Sequence, residues 1–295
     1  MKTWMRRSVW TFGSVVVVAI AAAAVMVGLG ERKLDRRIDV AVAPVALRTD
    51  APAIERGRYL FASRGCGECH GANGAGRVML DGGGMFVRSA NITPQPGSAV
   101  DGYTPTDWVR TIRHGVKRDK RPVMIMPSED YNRLVDDDVA SIVAYVSTLP
   151  PVAGPRGEVR LPMPVKALYA AGVVRDASEK IDHTLAPATP VAEGVTDQHG
   201  AYVANACLGC HGPHLTGGKI PGAPPDWPPA ARLAPGPGSA LDRYPTAEQF
   251  AAMLRSGKRP DGSAVSTVMP FESLRAMSDV DVRALYLHLK SMPAS

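Results

Sequence analysis

The stretch ACLGCHG, residues 206–212, contains two cysteines separated by two residues, with a histidine directly after the second cysteine. An earlier stretch, GCGECHG at residues 65–71, has the same order. The two motifs use all four cysteines of the 295-residue chain. Such a repeat indicates one kind of chemistry carried out at two places. The six residues concerned are Cys66, Cys69, His70, Cys207, Cys210 and His211.

Three kinds of site use paired cysteines, and the histidine after the second cysteine distinguishes between these kinds of site. A zinc site needs a second ligand pair at a workable spacing, and a thioredoxin-like redox motif has no use for a histidine fixed after its second cysteine. The C-x-x-C-H pattern is typical of covalent haem attachment. Each thiol adds across one porphyrin vinyl group, which holds the histidine beneath the iron as proximal ligand. We therefore predict two covalently bound haem c groups.

A methionine downstream of each motif supplies a candidate for the second axial ligand. Met126 and Met269 are each followed by proline, and they lie 60 and 62 residues after the first cysteine of their motifs. Low-spin haem often takes a loop methionine as its sixth ligand. The first copy offers alternatives in Met124 and His114. Met126 is favoured because it holds the register of Met269 and Met124 does not.

The repeat extends beyond the haem motifs and predicts three helices in each copy. Each copy opens with a short helical stretch, ERGRYLFA or QHGAYVAN, in which Gly57 matches Gly200. A glycine on a helix face lowers helix propensity by roughly 1 kcal/mol, so we expect a close crossing with the last helix of the copy. The middle helices are TPTDWVRTIRHG and YPTAEQFAAMLRSG, and the last helices are DDDVASIVAYVSTLP and SDVDVRALYLHLKSMP.

These signals predict an all-α fold with two tandem helical domains. No run of alternating residues is long enough to indicate a sheet. We assign the first domain to residues 53–151 and the second to residues 194–295. Residues 152–193 between them form a proline-rich linker, whose apolar middle, VKALYAAGVV, is expected to pack on a domain. His183 of this linker is expected to be exposed or loosely packed.

Residues 1–37 are predicted to form a signal anchor. Val9 to Gly30 is an apolar run of 22 residues. At about 1.5 Å per residue, such a helix spans about 33 Å, which is enough to cross the hydrocarbon core of a bilayer. A cleaved signal peptide is the alternative, and it usually has a shorter apolar core. Basic residues flank both ends of the run, Lys2 among them, so charge leaves the orientation undecided.

The net charge of +6 does not indicate a nucleic-acid-binding protein. Residues 1–52 carry 8 basic and 4 acidic side chains, so most of the excess lies at the membrane end, where it suits anionic lipid head groups. Within a domain only KRDKR, residues 117–121, is locally basic. We interpret it as a solvated loop, with a docking patch or a partner for haem propionates as the alternative.

Each copy resembles a small helical cytochrome c domain, in which C-x-x-C-H, a Met-Pro loop and a terminal amphipathic helix follow in that order. The stretches ERGRYL, NITP, GYTPTDWVRTIRHGVKRD and DDDVASIVAYVSTLPPV are similar to the membrane-anchored cytochrome subunits of bacterial periplasmic dehydrogenases, including alcohol and gluconate dehydrogenases. The resemblance covers nearly all of both predicted domains. Those subunits usually carry three haem domains and a differently placed anchor, so no particular substrate is implied.

The resemblance implies an electron-transfer protein and not an enzyme. It would take electrons from the catalytic subunit of a periplasmic dehydrogenase and pass them to a quinone, a soluble cytochrome or a terminal oxidase. The axial pairs would be His70 with Met126 and His211 with Met269. Haem c is attached outside the cytoplasmic membrane, so both haem domains are expected in the periplasm, anchored to the inner membrane. A proline carbonyl often orients the proximal histidine in such domains.

The competing hypothesis is a di-haem enzyme such as a peroxidase. One haem would then need an open or displaceable sixth position, since a filled position keeps peroxide and oxygen from the iron. The alternative ligands in the first copy leave this hypothesis open there.

Overall fold

The computed structural model describes residues 3–224 and 226–294, so Lys2 of the predicted basic flank lies outside the described residues. The chain is mostly helical, as predicted. Short 3-10 helices lie at Ala177–Lys180, Asn205–Cys207 and Ala240–Arg243. The α-helices are α1 (Thr3–Leu34), α2 (Ala51–Ser63), α3 (Cys66–His70), α4 (Pro105–His114), α5 (Ser128–Tyr131), α6 (Asp136–Thr148), α7 (Met163–Ala170), α8 (Asp197–Ala204), α9 (Leu208–His211), α10 (Ala247–Ser256), α11 (Phe271–Ala276) and α12 (Asp279–Ser291).

A small antiparallel sheet corrects the prediction of an all-α fold. Strands β1 (Val78–Gly82), β2 (Met85–Arg88) and β3 (Glu158–Arg160) pair in the order β1-β2-β3. Gly83 and Gly84 join the first two strands, and both have positive φ angles, 58° and 76°. Two such residues in succession favour a tight hairpin turn. Strands of three to five residues are too short for an alternating pattern, and β3 comes from the predicted linker.

The middle helices begin and end where the sequence predicts. Thr104 caps α4 in a reciprocal capping box with Asp107, and Gly115 ends the helix at a φ of 62°. In the second copy Thr246 caps α10 and Gly257 ends it at a φ of 73°. A left-handed residue after the last turn suits glycine, which has no Cβ to clash. Both copies therefore use the same start and stop signals.

The first copy has its hydrophobic core at the crossing of α2 and α6. A Cβ added to Gly57 would lie 1.8 Å from the carbonyl oxygen of Ser141, so a larger residue would push the two helices apart. The predicted close crossing is confirmed in this copy. The buried core consists of Val45, Leu60, Phe61, Val109, Leu134, Val139, Ile142, Val146 and Leu149.

The second copy repeats this crossing between α8 and α12. A Cβ added to Gly200 would lie 2.0 Å from the carbonyl oxygen of Ala284. Because Ala284 stands 143 positions after Ser141, the same backbone contact forms in both copies. Its buried core is separate from the first and includes Val203, Leu215, Leu241, Tyr244, Phe250, Met253, Leu254, Val282, Leu285 and Leu289.

The N-terminal helix α1 carries the predicted anchor. Its segment Trp10–Leu34 has a mean hydropathy of 2.5 over the most apolar part and none of that part is buried. Among the described residues this is the one helix long and apolar enough to cross a membrane. Length and composition thus agree with an anchor, and an apolar surface of this size suits lipid better than water.

The predicted linker, residues 152–193, is partly ordered by contacts with α1 and the first copy. It contains β3, α7 and a 3-10 helix. Its apolar middle packs against the last turns of α1, because α7 lies across that end of the helix. Further along, Ala177 packs beside Gly115 at the end of α4.

The KRDKR loop lies against the segment that follows α1. Arg121 forms an ion pair with Asp35 at 3.2 Å, and Lys120 pairs with Asp39. The backbone amide of Ile38 also donates to the carbonyl of Lys120 at 2.9 Å. Much of the local positive charge is therefore neutralised within the chain, at the junction between the helix and the first copy.

Candidate haem-binding sites

The first attachment motif forms a helix of five residues. Cys66, Cys69 and His70 stand at the first, fourth and fifth positions of α3, which places their side chains near one another on a helical turn. Gly65 precedes the helix with a φ of 80°, a conformation that glycine adopts without strain. The second motif forms the short helix α9, with Cys207 in the 3-10 turn directly before it.

Each predicted proximal histidine is held by a backbone carbonyl. The Nδ1 atom of His70 lies 2.8 Å from the carbonyl oxygen of Ala90, and that of His211 lies 2.7 Å from the carbonyl oxygen of Ala231. A carbonyl can only accept, so Nδ1 carries the proton and donates it. Nε2 then keeps its lone pair for a metal. Burial lowers the pKa of both imidazoles, which favours this neutral form.

The carbonyls that orient these histidines belong to alanines, so the expectation of a proline carbonyl was wrong. A backbone carbonyl needs no particular side chain, and the motif therefore leaves no signal for it in the sequence. The fold here does require a glycine close to a backbone carbonyl in each copy. A Cβ on Gly76 or Gly217 would lie 2.5 Å from a carbonyl oxygen of the same loop. Both glycines also have positive φ angles, 79° and 72°.

The surroundings of the four cysteines disfavour the thiolate form. All four are free of disulfides. Burial raises the pKa of the Cys66 and Cys207 thiols to about 12, and it also raises the pKa of Cys69 and Cys210. Redox-active C-x-x-C motifs instead have a lowered thiol pKa. Within residues 3–224 and 226–294, no three Cys, His, Asp or Glu side chains converge as a metal site would require. These observations favour haem attachment over the redox and zinc alternatives.

The two predicted axial methionines occupy the same backbone setting. Each is followed by a proline that directly precedes a short helix, α5 after Met126 and α11 after Met269. Pro127 has φ and ψ of −79° and 66°, and Pro270 has −79° and 70°. In each loop the amide two residues after the methionine donates to the methionine carbonyl at 2.9 Å.

Met124 stays an alternative to Met126 in the first copy, whereas His114 bonds to another residue. Met124 is half-buried like Met126, so burial does not separate the two, and the shared backbone setting with Met269 favours Met126. His114 instead ends α4, with its Nδ1 atom 3.0 Å from Nδ1 of His183. His183 is therefore held by a ring contact and is less loose than predicted. Burial and then His183 lower the pKa of His114 to about 4.

The two copies contact each other directly at their attachment motifs. The backbone amide of Ser273 donates to Glu68 at 2.7 Å, and the amide of Gly209 donates to Asp130 at 2.6 Å. Glu68 and Gly209 lie inside the C-x-x-C-H motifs, while Asp130 and Ser273 follow the Met-Pro pairs. Each motif thus meets the methionine segment of the other copy. Burial raises the pKa of Asp130 to about 8.

A second pair of contacts crosses the same boundary and follows the repeat. The hydroxyl of Tyr59 donates to Asp281 at 2.6 Å, and the hydroxyl of Tyr202 donates to Asp138 at 2.6 Å. Both tyrosines and both aspartates are separated by 143 positions. This exchange of equivalent contacts is typical of an isologous, two-fold-related interface. Both tyrosines lie in the matched stretches ERGRYLFA and QHGAYVAN, and their shared offset was the signal for this pairing that sequence reasoning missed.

The residues present fit two haem c groups. Each copy has two thiols for the vinyl groups, an imidazole with Nε2 free to bind iron, and a half-buried methionine next to a structured turn. Neutral imidazole and thioether sulfur are both established haem ligands. The ligand assignments themselves stay predictions.

The chain is similar to one known protein family and to several named proteins. Residues 52–146 match the family described as cytochrome c oxidase, cbb3-type, subunit III. The chain is 27% identical over 281 residues to the fructose dehydrogenase cytochrome subunit of Gluconobacter japonicus, covering 85% of this chain and 55% of that one. It is 28% identical over 274 residues to the cytochrome c subunit of the quinone alcohol dehydrogenase of Gluconobacter oxydans (strain 621H), covering 83% and 56%.

A shorter relative matches along most of its own length. This protein, described as a diheme cytochrome c-type from Cereibacter sphaeroides, is 28% identical over 273 residues, covering 81% of this chain and 86% of that one. The chain spans about half the length of the two dehydrogenase subunits it matches. These matches confirm the predicted resemblance: the chain is similar to proteins named as cytochrome c subunits of dehydrogenases and to one described as a diheme cytochrome c-type.

Proposed function

We propose that the chain is a membrane-anchored electron-transfer subunit with two covalently bound haem c groups, and that catalysis takes place in a partner subunit. The observation that carries the proposal is the duplicated ligand arrangement. In both copies the histidine after the cysteine pair has Nδ1 tied to a backbone carbonyl, which leaves Nε2 for iron. The names of the relatives, cytochrome subunits of dehydrogenases, support the same role.

The protein contributes attachment, orientation and exclusion of other ligands. Cys66 and Cys69 would hold the first haem and Cys207 and Cys210 the second. His70 and His211 are oriented by their carbonyl partners, and Met126 and Met269 would fill the sixth positions. Bound haem c supplies one-electron oxidation and reduction at its iron. A methionine opposite a histidine raises the reduction potential and keeps oxygen and peroxide from the iron.

The contact between the copies supports two neighbouring redox sites. Glu68 of one attachment motif and Gly209 of the other each bond to the methionine segment of the opposite copy. Both motifs therefore lie at the boundary between the copies, as a two-centre electron carrier requires. We extend the proposal to two tandem cytochrome c-like domains at residues 53–151 and 194–295, joined by the linker at 152–193.

We further propose the place of this subunit in the cell. α1 would anchor residues 1–37 in the bacterial inner membrane, and both haem domains would lie in the periplasm, where haem c is attached. The electron donor would be the catalytic subunit of a periplasmic dehydrogenase. The acceptor would be a quinone, a soluble cytochrome or a terminal oxidase. The length and apolar character of α1 support the anchor.

Spectroscopy on the full-length, haem-loaded chain in detergent tests the proposal. A pyridine haemochrome assay should give two haems c per chain, and the oxidised protein should show the weak near-infrared band of methionine bound to ferric haem. Reduced spectra should not change with carbon monoxide. A high-spin haem that binds carbon monoxide or peroxide would contradict the carrier function for that copy and favour the di-haem enzyme.

Methionine variants test the ligand assignment. Met126→Ala and Met269→Ala should each remove about half of the near-infrared band and lower the potential of one haem, because each deletes one thioether ligand. Met124→Ala is the matched control and should keep the full band. Loss of band intensity in the control with retention in Met126→Ala would assign Met124 as the ligand.

A further inference from the structure

Helix α7 crosses the C-terminal end of the predicted anchor helix α1, and the two backbones are in direct contact. A Cβ on Gly30 would lie 2.2 Å from the carbonyl oxygen of Lys166, so the two helices touch without intervening side chains at this point. Lys166 also forms an ion pair with Glu31 at 2.8 Å. The middle of α7 is therefore placed at the same level as the last turns of the apolar span, which extends to Leu34.

Charged contacts hold this arrangement in place. Lys33 donates to the carbonyl of Tyr169 at 2.8 Å, and Arg36 pairs with Asp176 at 2.7 Å. Tyr169 and Asp176 are fully buried, and the tyrosine hydroxyl donates to the aspartate at 2.5 Å. Because these groups are buried and mutually bonded, α7 is fixed to α1 and not merely adjacent to it.

The outer surface of this segment is apolar. Met163 is 69% exposed, Leu168 44% and Val173 67%. Pro164 and Ala171 are also exposed, and with Leu168 they follow the spacing of one helix face. Between residues 163 and 173 the only charged side chain is Lys166, which is half-buried against Glu31. A surface helix facing water normally presents polar residues on its exposed face.

We propose that residues 163–173 lie in the interfacial layer of the bilayer, with their exposed apolar side chains between lipid head groups and acyl chains. This inference rests on the proposed membrane insertion of α1. Residues 163–173 add an exposed apolar surface beside the last turns of that helix, and Arg32 and Arg175, each two positions from Gly30 or Val173 in the sequence, are exposed and suit anionic head groups. Short apolar segments held this way bind the membrane surface without crossing it.

A second membrane contact would orient the first copy. The segment that follows α7 reaches Gly115 at the end of α4, and the KRDKR loop pairs with residues 35–39. The first copy is therefore joined to α1 and to α7 together, and two contacts with the bilayer restrict its tilt more than one flexible tether does. The first copy would then keep one face toward the membrane, where a lipid-soluble acceptor is found.

Spin labels on single engineered cysteines test this placement, because the four native cysteines are consumed as thioethers in the loaded protein. The full chain carries Leu168→Cys or Val173→Cys and is reconstituted in vesicles of phosphatidylethanolamine and phosphatidylglycerol in the reduced state. Both labels should collide several-fold more with oxygen than with a water-soluble nickel chelate. Val195→Cys, on the exposed segment before α8, is the aqueous control and should show the opposite ratio.

A label inside α1 separates the two possible failures. Val17→Cys lies in the middle of the apolar span and reports the anchor itself. If Val17 is shielded from the chelate while Leu168 and Val173 are as accessible as Val195, the anchor stands and the interfacial placement is wrong. If Val17 is itself accessible to the chelate, both the membrane anchor and the inference built on it are wrong.

Discussion

Asp138 and Asp281 occupy equivalent positions near the start of the last helix of each copy, yet their surroundings differ. Asp281 is fully buried and binds three groups: Tyr59 of the first copy, His199 at 2.7 Å, and Arg64 of the first copy at 2.7 Å. Asp138 binds Tyr202 across the boundary and the half-buried Arg56 of its own copy at 2.9 Å.

The two equivalent aspartates therefore interact with different charged groups, although both accept a hydrogen bond from a tyrosine of the other copy. Burial alone would raise the pKa of Asp281, but Arg64, Tyr59 and His199 outweigh it and hold the pKa below its usual value. The Arg64–Asp281 ion pair thus crosses the boundary between the copies with almost no exposure, whereas Arg56 stays partly in water. We infer that one half of the interface is held mainly by a buried charge pair and the other by a neutral donor.

The largest effect is expected for Asp281→Asn. Arg64 would remain buried without a countercharge, which destabilises a protein by about 3–5 kcal/mol. The matched variant Asp138→Asn should cost only about 1.5 kcal/mol, because Arg56 can be hydrated. Urea unfolding of the haem-loaded chain measures both free energies of unfolding. Equal losses would show that the two clusters are energetically alike and would contradict the inferred inequality.

Replacing either interface tyrosine should lower the free energy of unfolding by a smaller amount, which should be similar in the two copies. Tyr59→Phe and Tyr202→Phe each remove one hydroxyl that donates to a carboxylate of the other copy, and each should lower the free energy of unfolding by about 1 kcal/mol. Combining each with Asp281→Asn forms a double-mutant cycle. The free-energy changes of Tyr59→Phe and Asp281→Asn should not add, because these residues bond to each other, whereas those of Tyr202→Phe and Asp281→Asn should add. Additivity for Tyr59 together with coupling for Tyr202 would contradict the assigned pairs.

A further effect, which depends on pH, concerns His114, for which the second copy has Ser256. The pKa of His114 is lowered from 6.5 to about 4 in the folded chain, so the unfolded chain binds more protons between these values. Stability should therefore fall as the pH drops from about 6.5 to about 4. His114→Gln should flatten this dependence, while the exposed control His214→Gln should not. An unchanged slope in the first variant would exclude His114 as its source.

Sequence patterns predicted the helices and glycine crossings well because these depend on short-range spacing. The caps at Thr104 and Thr246, the glycines after α4 and α10, and the close approach at Gly57 and Gly200 all follow from local rules. The sheet was missed because its third strand comes from the linker. The carbonyls of Ala90 and Ala231 were missed because a backbone acceptor can belong to any residue type.

By itself the sequence determined the candidate ligands of this protein: two C-x-x-C-H motifs, the Met-Pro pair after each of them and an apolar N-terminal helix, since residue type and spacing are local properties of the chain. Only the tertiary structure decided which groups meet across the repeat. The contacts of Tyr59 with Asp281 and of α7 with α1 join residues more than 130 positions apart. Such pairs depend on how whole helices pack, and no local pattern encodes that packing.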